Sequence, residues 1–210
     1  MPLPGSQSRI ELHHRRIDMH GYRRDDGLYE IEGRVLDTKT SDVDITGVRA
    51  WRAGDTIHDM WVRLVVDEDL VVHDVLAVSD TTPYAVCKEA TSAMQAIVGE
   101  RIAAGWTMMV KSRLGGARGC THLMELLIPL ATAAYQTLAE VRLSGPDKLD
   151  SLGRPLKIDS CYAFAASREV VRRRWPALYT GSSGDGLSSE PRARKDPCSR
   201  GQAPAAPHDA

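Results

Sequence analysis

The chain lacks most of the features by which a sequence declares its chemistry. Four cysteines in 210 residues are too few for a disulfide scaffold, and no Cys-x-x-Cys pair occurs. Charge of one sign is also missing. The 27 basic and 28 acidic side chains leave a formal net charge of −1, whereas proteins that wrap a polyanion carry a clustered basic excess. The longest apolar run, Leu126 to Tyr135, is too short to span a bilayer, and Met1 to Gln7 leads straight into the charged stretch Arg9–Asp26 with no apolar signal core. No Gly-rich phosphate loop, nucleophile elbow, zincin motif or internal repeat is found. These absences predict a cytoplasmic protein in a reducing compartment, with no nucleic-acid or membrane partner.

What is present is enough for a core. With 42% hydrophobic residues, a chain of this length suits one domain with extensions. In Tyr29-Glu30-Ile31-Glu32-Gly33-Arg34-Val35 apolar residues alternate with charges, the period of a half-buried strand. The turn signal Asp26-Gly27 precedes it, so Ile10 to Tyr22 is its partner strand. Residues 38–55 are polar and read as a loop. Asp59 to Val66 and Leu70 to Val78 form a second hairpin around Asp67-Glu68-Asp69. The period then changes to three or four: Val86, Ala90, Met94 and Ile97 predict a helix between Pro83 and Gly99. A shorter helix follows through Trp106, Met109, Val110 and Leu114. A long apolar one runs through Leu127, Ala131, Ala134 and Leu138, with Pro129 inside it. A further strand is expected at Leu156 to Phe164 and a short basic helix at Ser167 to Trp175. The order, strands and then helices, predicts an α+β fold with helices packed on one face of an antiparallel sheet. Residues 1–8 are expected to be flexible, 9–176 to form a single domain, and 177–210 to be a disordered tail.

Chemistry centres on Cys120 and His122. Cys120 follows the flexible run Gly115-Gly116-Ala117-Arg118-Gly119 and precedes the long helix. Free backbone N–H groups and the helix dipole there favour a thiolate, which is both nucleophile and metal ligand. His122 lies within the first turn and can share that site. Cys87 also opens a helix, and Cys161 sits in Asp159-Ser160-Cys161-Tyr162. Three cysteines and a histidine make a full set for Zn²⁺ or contribute thiolates to an iron–sulfur centre. His58, before the second hairpin, is a further candidate ligand. The plain alternative is that these cysteines fill the core and His58 is a solvated loop residue. His13, His14 and His20, among Arg15, Arg16, Arg23 and Arg24, read as an exposed strand face. Asp25-Asp26 reads as a turn, and Arg172-Arg173-Arg174 as a solvated helix face. Cys198 falls in the tail.

Taken in order, Leu12-His13-x-Arg15, Tyr22-Arg23-Arg24-x-Asp26-Gly27, Asp37-Thr38-Lys39, Ile57-His58-Asp59, Gly119-Cys120-Thr121-His122-Leu123 and Asp159-Ser160-Cys161 resemble the bacterial family DUF2889, over Leu12 to Trp175. That resemblance implies no activity. Where a histidine is expected after the third cysteine, this chain has Tyr162. The layout of His58 to Leu138 is also similar to iron–sulfur scaffold proteins of the NifU and IscU type. By position, His58 or Asp59 falls near their first ligand loop, Cys87 near the middle cysteine and Cys120 near the last. The first ligand cysteine is absent, and Gly119 stands where those scaffolds place a histidine.

The leading expectation is therefore an accessory protein that binds zinc or an iron–sulfur cluster through Cys87, Cys120 and His122, completed by Cys161 or His58, and that acts on another protein. A cysteine-based sulfur-transfer or thiol enzyme using Cys120 is the second. A binding module without site chemistry is the third.

Overall fold

The computed structural model describes residues 5, 7–45 and 49–181. Most of the expected flexible start, most of the expected tail and Cys198 lie outside the described residues. Four strands form one antiparallel sheet in the order β1 (His13–Arg23), β2 (Tyr29–Lys39), β5 (Thr56–Val66), β6 (Val72–Thr81). The β1–β2 turn forms where Asp26-Gly27 predicts it: Gly27 has φ 86°, and Asp26 Oδ1 accepts from the Leu28 N–H. Residues 38–55 are not all loop. They contain a small separate hairpin, β3 (Val43–Ile45) and β4 (Arg49–Trp51), and its Trp51 is only 2% exposed. Runs of three residues are too short for a period-2 pattern to register.

One face of the large sheet is the core face. Tyr29, Ile31 and Val35 of β2 and Met60, Val62 and Leu64 of β5 are buried, and the register pairs Ile31 with Leu64 and Val35 with Met60. The alternate residues Glu30, Glu32, Arg34 and Arg63 form ion pairs on the other face. Helix α2 (Thr121–Thr137) lies across the core face and presents a stripe of Leu123, Leu126, Leu127, Leu130, Ala131 and Ala134. Each fully buried leucine contributes about 1.5–3 kcal/mol. Two glycines let the helix come close. A Cβ on Gly33 would meet Leu130 at 3.0 Å, and one on Gly21 would meet Thr137 Oγ1 at 1.8 Å. The long helix ends at Thr137, and α3 (Ala139–Ser144) follows.

Helix α1 (Trp106–Leu114) joins the core through Trp106, Val110 and Leu114. The predicted helix after Pro83 exists at Ala85–Ile97, but it is wound as a 3₁₀ helix. With three residues per turn, its half-buried and buried stripe is Cys87, Ala90, Ala93, Met94 and Ile97, while Val86 turns out to 61% exposure. The hydroxyls of Thr91 and Ser92 donate to carbonyls three residues back, as tight turns allow. Among the described residues no helix is long and apolar enough to cross a membrane.

The chain divides into two compact units, Met1–Pro146 and Asp147–Ala210. In the second, Ile158, Ala166 and Val171 make a small cluster against Trp175 and Leu178. Asp147 accepts from Lys157 Nζ at 3.0 Å and Trp175 Nε1 at 2.9 Å. The expected strand at Leu156 to Phe164 is absent. Asp159 adopts φ 63° and accepts from the Ala166 N–H, and the chain turns there into a short 3₁₀ segment, Tyr162–Phe164. Helix α4 (Glu169–Arg174) and a 3₁₀ turn at Pro176–Leu178 follow.

Candidate functional site

The inward phase of β2 runs Tyr29, Ile31, Gly33, Val35 and then Asp37, a carboxylate only 1% exposed on the apolar face. Register supplies its partners. Arg15 of β1 stands opposite Asp37 on one side and His58 of β5 on the other, so the three form a row across the sheet. Immediately beyond, β5 bulges: Asp37 faces His58 but Thr38 faces Thr56, which leaves Ile57 as the extra residue. Arg15 grips the carboxylate in two places, Nε to Oδ1 and Nη2 to Oδ2, both at 2.7 Å. His58 Nδ1 lies 2.9 Å from Oδ2, and His13 Nε2 lies 3.2 Å from Oδ1. Arg15 also comes within 3.9 Å of Glu125 on α2.

These contacts fix charge states. Burial raises the Asp37 carboxyl, but the hydrogen bonds and charge of Arg15, with help from His58, outweigh it and hold the group below the usual carboxylate range. An ionised carboxylate only accepts, so His58 carries its proton on Nδ1 and keeps the Nε2 lone pair. Burial and the nearby His122 lower the His58 pKa against the pull of Asp37, which favours the neutral ring. Three hydrogen-bond donors, Arg15 Nε, Arg15 Nη2 and His58 Nδ1, therefore converge on the Asp37 carboxylate, with the His13 ring close by.

Over this row lies the N-terminus of α2. His122, in its first turn, packs on His58 with ring centres 3.8 Å apart and planes tilted by 34°. Cys120 is the N-cap, and its Sγ is 3.9 Å from His122 Nδ1. The sulfur makes no ordinary cap bond, yet it stands at the helix end. Burial pushes the thiol up, while His122 and the backbone N–H groups of Leu123 and His122 pull it down, and the balance is a lowered pKa. In the preceding glycine run, Gly119 lies close to the end of α1, since a Cβ on it would meet the Leu114 carbonyl oxygen at 2.9 Å, while Gly116 is exposed with open space around it.

Of the residues singled out in the sequence, the fold brings together Cys120, His122 and His58. His58 sits inside β5 rather than in a solvated loop, and its neighbour Asp59 points to the other face and pairs with Arg34. Cys87 is half-buried in the 3₁₀ helix, and Cys161 is exposed in the second unit. Among the described residues, the group of metal-ligating side chains that gathers is Asp37, His58 and His122, with one ligand atom of each within 4.8 Å of the others. It includes neither Cys87 nor Cys161. Asp37 and Arg15 are not among the site residues the sequence singles out; His13 is exposed, as the sequence predicts, and its Nε2 also reaches Asp37. One signal was available for Asp37: it continues the inward phase of Tyr29, Ile31 and Val35. The pairing with Arg15 and His58 depends on register, which periodicity does not supply.

Residues 13–136 match DUF2889, a family described as protein of unknown function, and because the match spans more than half of the 210 residues the chain belongs to that family. No curated protein and no solved structure matches it. The likeness in layout to NifU and IscU scaffolds is not borne out: the cysteines do not cluster, and the grouped ligand-type residues are one carboxylate and two imidazoles.

Proposed function

We propose that this protein is a cysteine-dependent enzyme in which Cys120 attacks an electrophilic centre and His122 carries the proton. The observation that carries this reading is the contact of Cys120 Sγ with His122 Nδ1, 3.9 Å, at the N-terminus of α2. Behind it, His58 stacks on His122 and is itself fixed by Asp37 and Arg15. This is the logic of a nucleophile, a base and a chain of orienting groups. In the first step the Cys120 proton passes to His122 and a bond forms from sulfur to the substrate. The substrate's bond to its leaving group breaks, and His122 returns the proton to that group. A second nucleophile, water in a hydrolysis, then releases the product and restores the thiol. Mass-spectrometric alkylation of metal-free protein tests this. Cys120 should label at least ten times faster than exposed Cys161 at neutral pH, and His122→Asn should remove that advantage. Equal rates at the two thiols in wild type would sink the reading.

The gathering of Asp37, His58 and His122 within 4.8 Å favours a second reading, a zinc-like ion held by imidazoles near Cys120. Two features weigh against it as the leading one. Asp37 already has its donors, and two imidazoles on one tetrahedral ion hold their ring centres roughly 5 Å apart, farther than the 3.8 Å seen. An iron–sulfur centre has less support, because only Cys120 stands by the cluster. Elemental analysis of tag-free protein separates the two. One equivalent of zinc, lost in both His58→Ala and Cys120→Ala, would replace the thiol reading with the metal one.

A further inference from the structure

Beside the cluster opens a cavity of about 320 Å³. That is near the lower end of the roughly 300–1,000 Å³ of small-molecule sites, which suits a small organic ligand rather than a dinucleotide. Its body is apolar: Val43 and Ile45 of β3, Trp51 of β4 and Tyr84 before the 3₁₀ helix form the wall. The hairpin inserted in the chain between β2 and β5 thus supplies most of that wall. Its floor is shared with the site, since Asp37 and His58 line both.

Charge on the floor does not cancel. Arg15 and Asp37 neutralise each other in their two-point pair. Lys39, two residues along the same inward phase of β2, also lines the cavity; it is a half-buried residue whose ammonium makes no hydrogen bond or ion pair among the described residues. A cation at the edge of an apolar wall, with its donors unused by the described residues, is a ready partner for an anion arriving with a ligand.

We infer that this cavity binds a small ligand made of one anionic group, a carboxylate or phosphate, on an apolar body. Lys39 receives the anion, and Trp51 and Tyr84 hold the body. As the substrate pocket of the thiol enzyme this rests on the reading above, but the binding itself needs no thiol. Calorimetric titration of the full chain with benzoate, phenyl phosphate and uncharged benzyl alcohol at fixed ionic strength tests it. At least one of the anions should bind one to one and at least tenfold tighter than the alcohol; which of the two binds tighter identifies the group. Lys39→Met keeps the aliphatic stem and should bring the anion to the level of the alcohol. Cys120→Ser should leave binding unchanged. No saturable binding by either anion, or equal affinity in Lys39→Met, would overturn the inference. If an anion binds but Cys120 labels no faster than Cys161, the pocket stands and the thiol reading falls. If Cys120 labels fast but no anion binds, only the pocket falls.

Discussion

Replacing Asp37 by alanine would leave the Arg15 guanidinium and the His58 Nδ1–H without the acceptor they share. A buried pair broken from one side costs about 3–5 kcal/mol; Arg15 keeps 36% exposure and is partly repaid by water, so we expect about 2 kcal/mol, read as a lower urea midpoint. The same variant should free the His58 ring to change tautomer, and NMR of its ring nitrogens should show the loss of the Nδ1–H form. An unchanged tautomer would mean that Asp37 does not orient His58. At this scale the sequence was half legible. Cys120 and His122 could be picked out because a cysteine at a helix start and a histidine two residues later are local features. Asp37 could be reached only by following the alternation of β2 two residues past Val35. Arg15 sits in a run of basic and histidine residues that reads as solvated, and its grip on Asp37 shows only once β1 is paired with β2.

The elements set where the thiol stands. Helix α2 reaches the site end of the sheet because Gly21 and Gly33 remove the side chains that would hold it off. Gly21→Ala places a Cβ where Thr137 Oγ1 now lies, and Thr137 is itself bonded to the Ala133 carbonyl. We expect a loss of about 1–3 kcal/mol and slower Cys120 labelling, since the displaced helix carries the thiol at its other end. Retained stability with unchanged labelling would show that the close approach does not position the site. The strands of the main sheet and the helices α1 and α2 were legible because their periods persist over nine residues or more. The β3–β4 hairpin was too short for that. The tight winding of Ala85–Ile97 was hidden because spacings of three and four fit an α-helix as well, and the false strand at Leu156–Phe164 failed on the left-handed turn at Asp159.

For the whole molecule, the site groups make stability depend on pH with a predictable sign. His58 has a folded pKa below its unfolded value of about 6.5. Between the two values the unfolded chain binds more protons, so stability is fully present above about pH 6.5 and falls as pH drops through that range. Asp37, also lowered in the folded state, adds a second loss that begins near its unfolded value of about 3.9. Urea midpoints measured from pH 8 to pH 3 should therefore decline in two phases, and His58→Gln should remove the upper one. A single acid phase in wild type would contradict the buried neutral imidazole. The central core that this titration reports on draws entirely on residues of the first unit, from Tyr29 to Leu138.

The thiolate at the α2 N-terminus is tested most directly by the pH dependence of Cys120 alkylation by iodoacetamide in metal-free wild-type protein, beside His122→Asn. The midpoint should lie below the ordinary thiol value of about 8.5 and move upward on loss of His122, because that imidazole and the α2 N-terminus together favour the thiolate. A midpoint at or above the ordinary value, unmoved by His122→Asn, would contradict it.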